Sequence, residues 1–194
     1  MDQRDDAALL LALKGGEFVA FSAIVDRHQR SLINFFYHLC WDRQTAEDCA
    51  QEVFLRVYSH RDSYEPQAKF TTFLFRIARN LWIDRIRSDA FRGKPASLDR
   101  RSDGDEGRSL GERLAARAPE PVEILAREEQ QAALRRAIER LPEEQKAVVI
   151  LSEIEGLKYQ DIGAILDVPV GTVKSRMHTA MEKLKELLSV AEQT

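Results

Sequence analysis

Apolar residues in this chain return at intervals of three and four positions, and nowhere do they alternate with polar ones over a sustained run. A helix of 3.6 residues per turn collects such residues on one side, whereas a half-exposed strand needs a period of two. The expected fold class is therefore all-α. From Phe18 to Leu39 the set Phe18, Phe21, Val25, Leu32, Phe35 and Leu39 makes one buried stripe, and His28 falls on it. No Cys or His lies four residues from His28 to share a metal, so it reads as a packed core histidine. A second helix is expected over about 45–59, with Ala50, Val53, Phe54, Val57 and Tyr58 inward. A third begins near Phe70, after a loop carrying Pro66, and runs to about Phe91. These three should pack together as an N-terminal domain, residues 1–91.

The periodicity stops over residues 92–121, where GKPASLDRRSDGDEG and then ARAPEP supply Gly, Pro, Ser and mixed charge. That segment holds too little apolar surface to fold alone and reads as a flexible linker. Helical pattern resumes at about Val122, opening a C-terminal domain over 122–194. Leu141-Pro142 breaks it before a helix through Ala147, Val148, Ile150 and Leu151, for which Gly156 is a suitable stop. Tyr159 to Leu166, the turn Asp167-Val168-Pro169-Val170 and a long helix to about Leu188 follow, with Pro169 suited to a first helical position. Two helices around so short a turn read as a helix-turn-helix.

On the last helix Val173, Met177, Ala180, Met181, Leu184 and Leu188 share the inward face. Gly171, Ser175, His178, Thr179 and Glu182 lie opposite, flanked by Lys174 and Arg176. Small hydrogen-bonding side chains at the centre with cations at the edges suit a helix in the major groove, where the first meet base edges and the second meet phosphates.

Two further faces stand out in the N-terminal half. On the second helix Asp48, Gln51, Glu52 and Leu55 lie opposite the apolar side, an aliphatic anchor among acids suited to a basic helical partner. On the third, Phe70, Phe73, Leu74, Ile77 and Leu81 are core-like. Arg76, Arg79, Ile83 and Arg87 lie opposite, with Asn80 and Trp82 beside them. Phosphates alone would require only the cations; a Trp, an Asn and an Ile among them suit unstacked bases.

The 194 residues carry 29 basic and 32 acidic side chains, a net −3, which does not describe a general polyanion binder. The charge is instead sorted: 76–101 holds eight Arg or Lys against three Asp, while 42–52 is acidic. The apolar runs are far shorter than the roughly 20 residues of a membrane helix, and MDQRDD is no signal peptide. A cytoplasmic protein without direct membrane insertion is expected. Cys40 and Cys49, even with His38 nearby, fall short of a self-contained zinc site and read as small buried thiols. No metal or cofactor is expected. With no glycine-rich phosphate loop, nucleophile motif or paired base, the chain is not expected to be an enzyme.

These motifs carry a resemblance. The segment from Leu141 to Leu188, above all VPVGTVKSR, resembles the promoter-binding C-terminal domain of extracytoplasmic-function (ECF) sigma factors of the sigma-70 family. The resemblance implies that Thr172, Lys174, Ser175, Arg176, His178 and Thr179 read the minus-thirty-five element, although Thr179 stands where an arginine is common. AEDCAQEVFLRVY resembles the family segment that grips the clamp helices of the polymerase's largest subunit, which implicates Asp48, Gln51, Glu52 and Leu55; Cys49 fills a commonly aliphatic position. FTTFLFRIARNLWIDRIR resembles the segment that melts and reads the minus-ten element, with Phe73 where tryptophan is usual. There Lys69, Arg76, Arg79, Asn80, Trp82, Ile83 and Arg87 are implied. The family also implies core RNA polymerase as partner, through those clamp helices and the flap of the second-largest subunit, together with promoter DNA and an anti-sigma factor. The helix-turn-helix half alone also resembles the DNA-binding domain of LuxR-type regulators, which leaves a stand-alone transcription regulator as the alternative.

Overall fold

The computed structural model describes residues 2–64, 69–91 and 121–191. The Pro66 loop and all of the expected linker except Pro121 lie outside the described residues.

Helix α1, Asp6–Lys14, is the element that periodicity does not reveal, because DAALLLALK is apolar almost throughout and shows no polar face. The Asp5 carboxylate accepts from the Ala8 N–H at 2.7 Å to cap it, and Leu9, Leu10 and Leu13 are buried. Helix α2, Phe18–Cys40, buries Ala20, Ile24, His28, Leu32, Phe35, Phe36 and Leu39. That line is rotated from the expected one. Phe21 and Val25 are half-buried, and Phe18, about 200° around the helix from Ala20, is 66% exposed with its ring against Tyr58. Trp41 ends α2 in the left-handed region at φ 54°.

The Asp42 carboxylate accepts from the Thr45 N–H at 2.7 Å and starts α3, Arg43–Ser59, which buries Ala46, Cys49, Ala50, Val53, Phe54 and Val57 and leaves Tyr58 half-buried. Helix α4, Phe70–Phe91, buries Phe70, Thr72, Leu74, Phe75, Ala78 and Leu81, with the expected core residues Phe73 and Ile77 only half-buried.

In the C-terminal half α5 spans Pro121–Glu139 and α6 spans Glu143–Val149. The chain then widens into a π-helical turn, Ile150–Ile154, before Gly156 turns it at φ +65°. Helix α7, Tyr159–Leu166, ends at Asp167 in the left-handed region, and α8 runs Val170–Ala191. Pro169 is one position earlier than expected: its carbonyl accepts from the Thr172 and Val173 N–H groups, so it caps α8 rather than opening it. The turn is tight because Gly163 has no side chain; a Cβ there would sit 2.9 Å from the Val168 carbonyl oxygen. Val173, Met177, Ala180 and Leu184 are buried, Leu188 is half-buried, and Met181, expected on the inward face, is 48% exposed.

The two halves touch. Helix α4 lies on α7, and α2 meets the π-helical turn. Among the described residues no helix is long and apolar enough to cross a membrane.

Candidate polymerase-docking and nucleic-acid interfaces

Because α3 buries Ala46, Ala50, Val53 and Val57, its other side must carry Asp48, Gln51 and Leu55 outward, and all three are exposed. Leu55 is 61% exposed, a large aliphatic with no core to fill. Glu52 is half-buried and accepts from Arg56 Nε at 2.9 Å, while Asp48 accepts from Gln44 Nε2 at 3.0 Å. Arg56 also reaches Asp84 of α4 at 3.8 Å, tying the acidic helix to the basic one. The structure thus gathers Asp48, Gln51, Glu52 and Leu55 on one ridge. Phe18, exposed, lies near its Tyr58 end, with ring centroids 6.2 Å apart, although the apolar pattern of α2 assigns Phe18 to the core.

On α4, Arg76, Asn80 and Arg87 are exposed, Arg79 and Ile83 are half-buried, and Arg79 donates to Asn80 Oδ1 at 3.1 Å. Arg76 and Arg87 have no side-chain partner among the described residues. Trp82 lies between roles: its ring packs near Phe36 at 6.3 Å, so it is partly a lid on the core, while Nε1 faces outward and donates to Glu143 Oε2 at 3.1 Å. Lys69, just ahead of α4, is exposed and donates to Asp161 Oδ1 and Oδ2 at 3.0 and 2.7 Å. Neither acceptor is visible to a reading of local sequence, for each lies in the other half of the chain.

On α8 the side chains of Lys174, Ser175, His178 and Thr179 point to solvent, and Thr172 is half-buried. Ser175 Oγ donates to the Thr172 carbonyl at 3.0 Å, and His178 lies 3.4 Å from Glu182. Arg176 is turned back onto Glu144 of α6 in an ion pair.

His28 is a core group, as expected: its ring lies 5.1 Å from that of Phe70 and Nε2 is 3.0 Å from Asp6. Burial lowers its pKa against the opposing pull of Asp6. Burial likewise pushes the Cys40 thiol up to about 11 and raises Cys49, which favours unreactive thiols. Cys40 donates to the Phe36 and Asp42 carbonyls, and His38 Nδ1 is 2.8 Å from the Asn34 carbonyl oxygen. Among the described residues no three His, Cys, Asp or Glu side chains converge to hold a metal.

The N-terminal half thus carries an acidic ridge beside a basic aromatic stripe and the C-terminal half an exposed second helix of a helix-turn-helix, and comparison with known proteins gives the class, a transcription factor of the sigma-70 type. The model for Sigma-70 region 2 matches residues 24–92 and that for Sigma-70, region 4 matches 131–184. The ECF RNA polymerase sigma factor SigW of Bacillus subtilis (strain 168) is 37% identical over 91% of this chain and 92% of that protein. The RNA polymerase sigma-H factor of Pseudomonas aeruginosa is 30% identical over 97% and 96%. CnrH, solved in complex with the cytosolic domain of CnrY, shares the fold with TM-score 0.68 at 21% identity, over 95% of this chain and 97% of that one. RpoE, solved with the anti-sigma factor NepR from Bartonella quintana, shares it with TM-score 0.67 at 23% identity, over 88% and 97%. The chain belongs to the ECF sigma factors of the sigma-70 family. The stand-alone LuxR-type alternative finds no support, since the region 2 match accounts for the half that such a regulator would not need.

Proposed function

We propose that this sigma factor binds core polymerase through the α3 ridge and divides promoter recognition between its halves. In this reading residues 1–91 form the docking and minus-ten domain, 92–121 the connection, and 122–194 the minus-thirty-five domain. Asp48, Gln51, Glu52 and Leu55 meet the clamp helices of the largest subunit, and the C-terminal half meets the flap of the second-largest. Lys69, Arg76, Arg79, Asn80, Trp82, Ile83 and Arg87 take the melted minus-ten strand, while Thr172, Lys174, Ser175, Arg176, His178 and Thr179 take the minus-thirty-five duplex. An anti-sigma factor holds the chain inactive, as the complex of RpoE with NepR suggests by likeness of fold. The protein acts in the cytoplasm, without catalysis or cofactor of its own.

The observation that carries the docking assignment is the exposed Leu55 set among carboxylates on a helix whose opposite side is fully used by the core. A basic helix would be steered by the acids and anchored by the leucine. The charge reversals Asp48→Arg and Glu52→Arg together should abolish pull-down of core polymerase, with the helical circular dichroism of the chain retained. Undiminished capture by the folded variant would move the docking surface elsewhere.

A further inference from the structure

Among the side chains assigned to base contact on α8, His178 is the one that can either donate or accept from its ring. A neutral imidazole donates from one nitrogen and accepts at the other, and the partner of the first decides which is which. His38 in α2 and His60 at the end of α3 place Nδ1 2.8 and 2.9 Å from the carbonyl oxygens of Asn34 and Arg56, four residues back. His178 makes no such bond among the described residues. Its Nε2 instead lies 3.4 Å from Glu182 Oε1, one turn further along α8. A carboxylate only accepts, so the proton belongs on Nε2 and the lone pair on Nδ1.

Glu182 is otherwise out of place. It shares the exposed side of α8 with Ser175 and Thr179, and no Lys or Arg pairs with it among the described residues. Phosphates repel a carboxylate on a side turned to DNA, a cost that its contact with the reading ring would offset. In water a pair whose side chains are 76% and 67% exposed contributes little. Against a duplex that water is displaced, and the lower local dielectric strengthens the contact.

We propose that Glu182 is a positioning residue for promoter recognition: it fixes the proton of His178 on Nε2, and Nδ1 accepts from a base that presents an amino group in the major groove. Cytosine N4 and adenine N6 qualify, whereas guanine N7 and O6 and thymine O4 are acceptors themselves. The proposal rests on the assignment of α8 to the minus-thirty-five duplex made above.

Transcription by the reconstituted holoenzyme from promoters randomised over the minus-thirty-five element tests it. The wild type should favour cytosine or adenine at the position that His178→Ala renders indifferent. Glu182→Ala should lower that preference several-fold at the same position, and should add nothing in a chain already carrying His178→Ala. Glu182→Gln keeps an acceptor oxygen at the same reach and should retain most of the preference. Mere relief of phosphate repulsion would raise output on all sequences alike, as Glu186→Ala, which removes an equal charge from the exposed side of α8, should do. Thermal midpoints should not move, because both side chains are exposed. A uniform effect of Glu182→Ala, or a loss at a position other than that of His178, would overturn the proposal and leave the promoter reading standing. A guanine preference at the His178 position would mean a ring that donates from both nitrogens, and would overturn it too. If His178→Ala changes no preference at all, the assignment of His178 to a base falls, and the role of Glu182 falls with it.

Discussion

Glu155 sits at the meeting of the halves, and its two oxygens fare differently. Oε2 accepts from Ser31 Oγ, whereas Oε1 is buried with no hydrogen-bond partner among the described residues. Desolvation raises the carboxyl pKa above its ordinary 4.5, partly opposed by the Ser31 hydrogen bond. Between 4.5 and that raised value the folded chain keeps a proton that the unfolded chain has lost, so stability falls as pH rises through this window. His28 has the opposite sign: with its pKa lowered from 6.5 by burial, the unfolded chain takes up the proton first and stability falls as pH drops below about 6.5. Replacing Glu155 by the neutral Gln should raise the thermal midpoint at pH 7, and that gain should vanish toward pH 4. Melting curves of both proteins across the range decide it. A gain that persists unchanged in acid would mean that the carboxylate charge is not what burial penalises.

At the scale of elements, the helix-turn-helix depends on one missing side chain. Gly163 lies within α7, where glycine ordinarily costs stability relative to alanine, but its Cβ would meet the Val168 carbonyl oxygen at 2.9 Å. That oxygen is backbone and cannot swing away, so the helix-favouring exchange Gly163→Ala should destabilise the protein by about 1–3 kcal/mol. Denaturant unfolding measures it, and a neutral or stabilising result would show that the turn can widen. The sequence made α2, α3, α4, α7 and α8 legible because each alternates a buried and an exposed side. It hid α1, whose seven apolar residues between Asp6 and Lys14 have no period to detect. It also misplaced Phe18 and Met181, for apolar character alone does not fix the phase of a stripe, which is set by the helices packed against it. The candidate site was legible in the same proportion. Exposure of Asp48, Leu55, Arg76, Lys174 and Ser175 followed from helix geometry, whereas the carboxylates facing Lys69, Trp82 and Arg176 depend on contacts that local pattern does not encode.

For the molecule as a whole, those contacts bear on how the two proposed DNA-reading surfaces would be separated in an assay. Arg176 and Trp82 begin from comparable positions, each donating to a glutamate of α6, so a change at either alters the free chain as well as any DNA contact. Arg176→Ala removes a partner of Glu144, which is itself well exposed and returns to water at little cost. Its main effect should be a closed promoter complex weakened by roughly 1–3 kcal/mol where the guanidinium reads a base, and by less where it meets only phosphate. Trp82→Ala gives up packing near Phe36 along with the indole N–H, so some thermal stability should be lost. In the holoenzyme it should spare duplex binding and impair strand opening, because stacking on a ring helps only once bases are unpaired, by about 1–3 kcal/mol per base. Transcription from a fully duplex promoter, set against one with a pre-opened mismatch bubble, separates these effects. The bubble should rescue Trp82→Ala more than Arg176→Ala. Trp82→Phe serves as the control, since it keeps a ring for packing and stacking but loses the donor to Glu143; it should transcribe from duplex nearly as well as the wild type. Equal rescue of both alanine variants would show that opening and duplex recognition are not divided between α4 and α8, and a Trp82→Phe defect as deep as that of Trp82→Ala would assign the residue's role to its N–H rather than its ring.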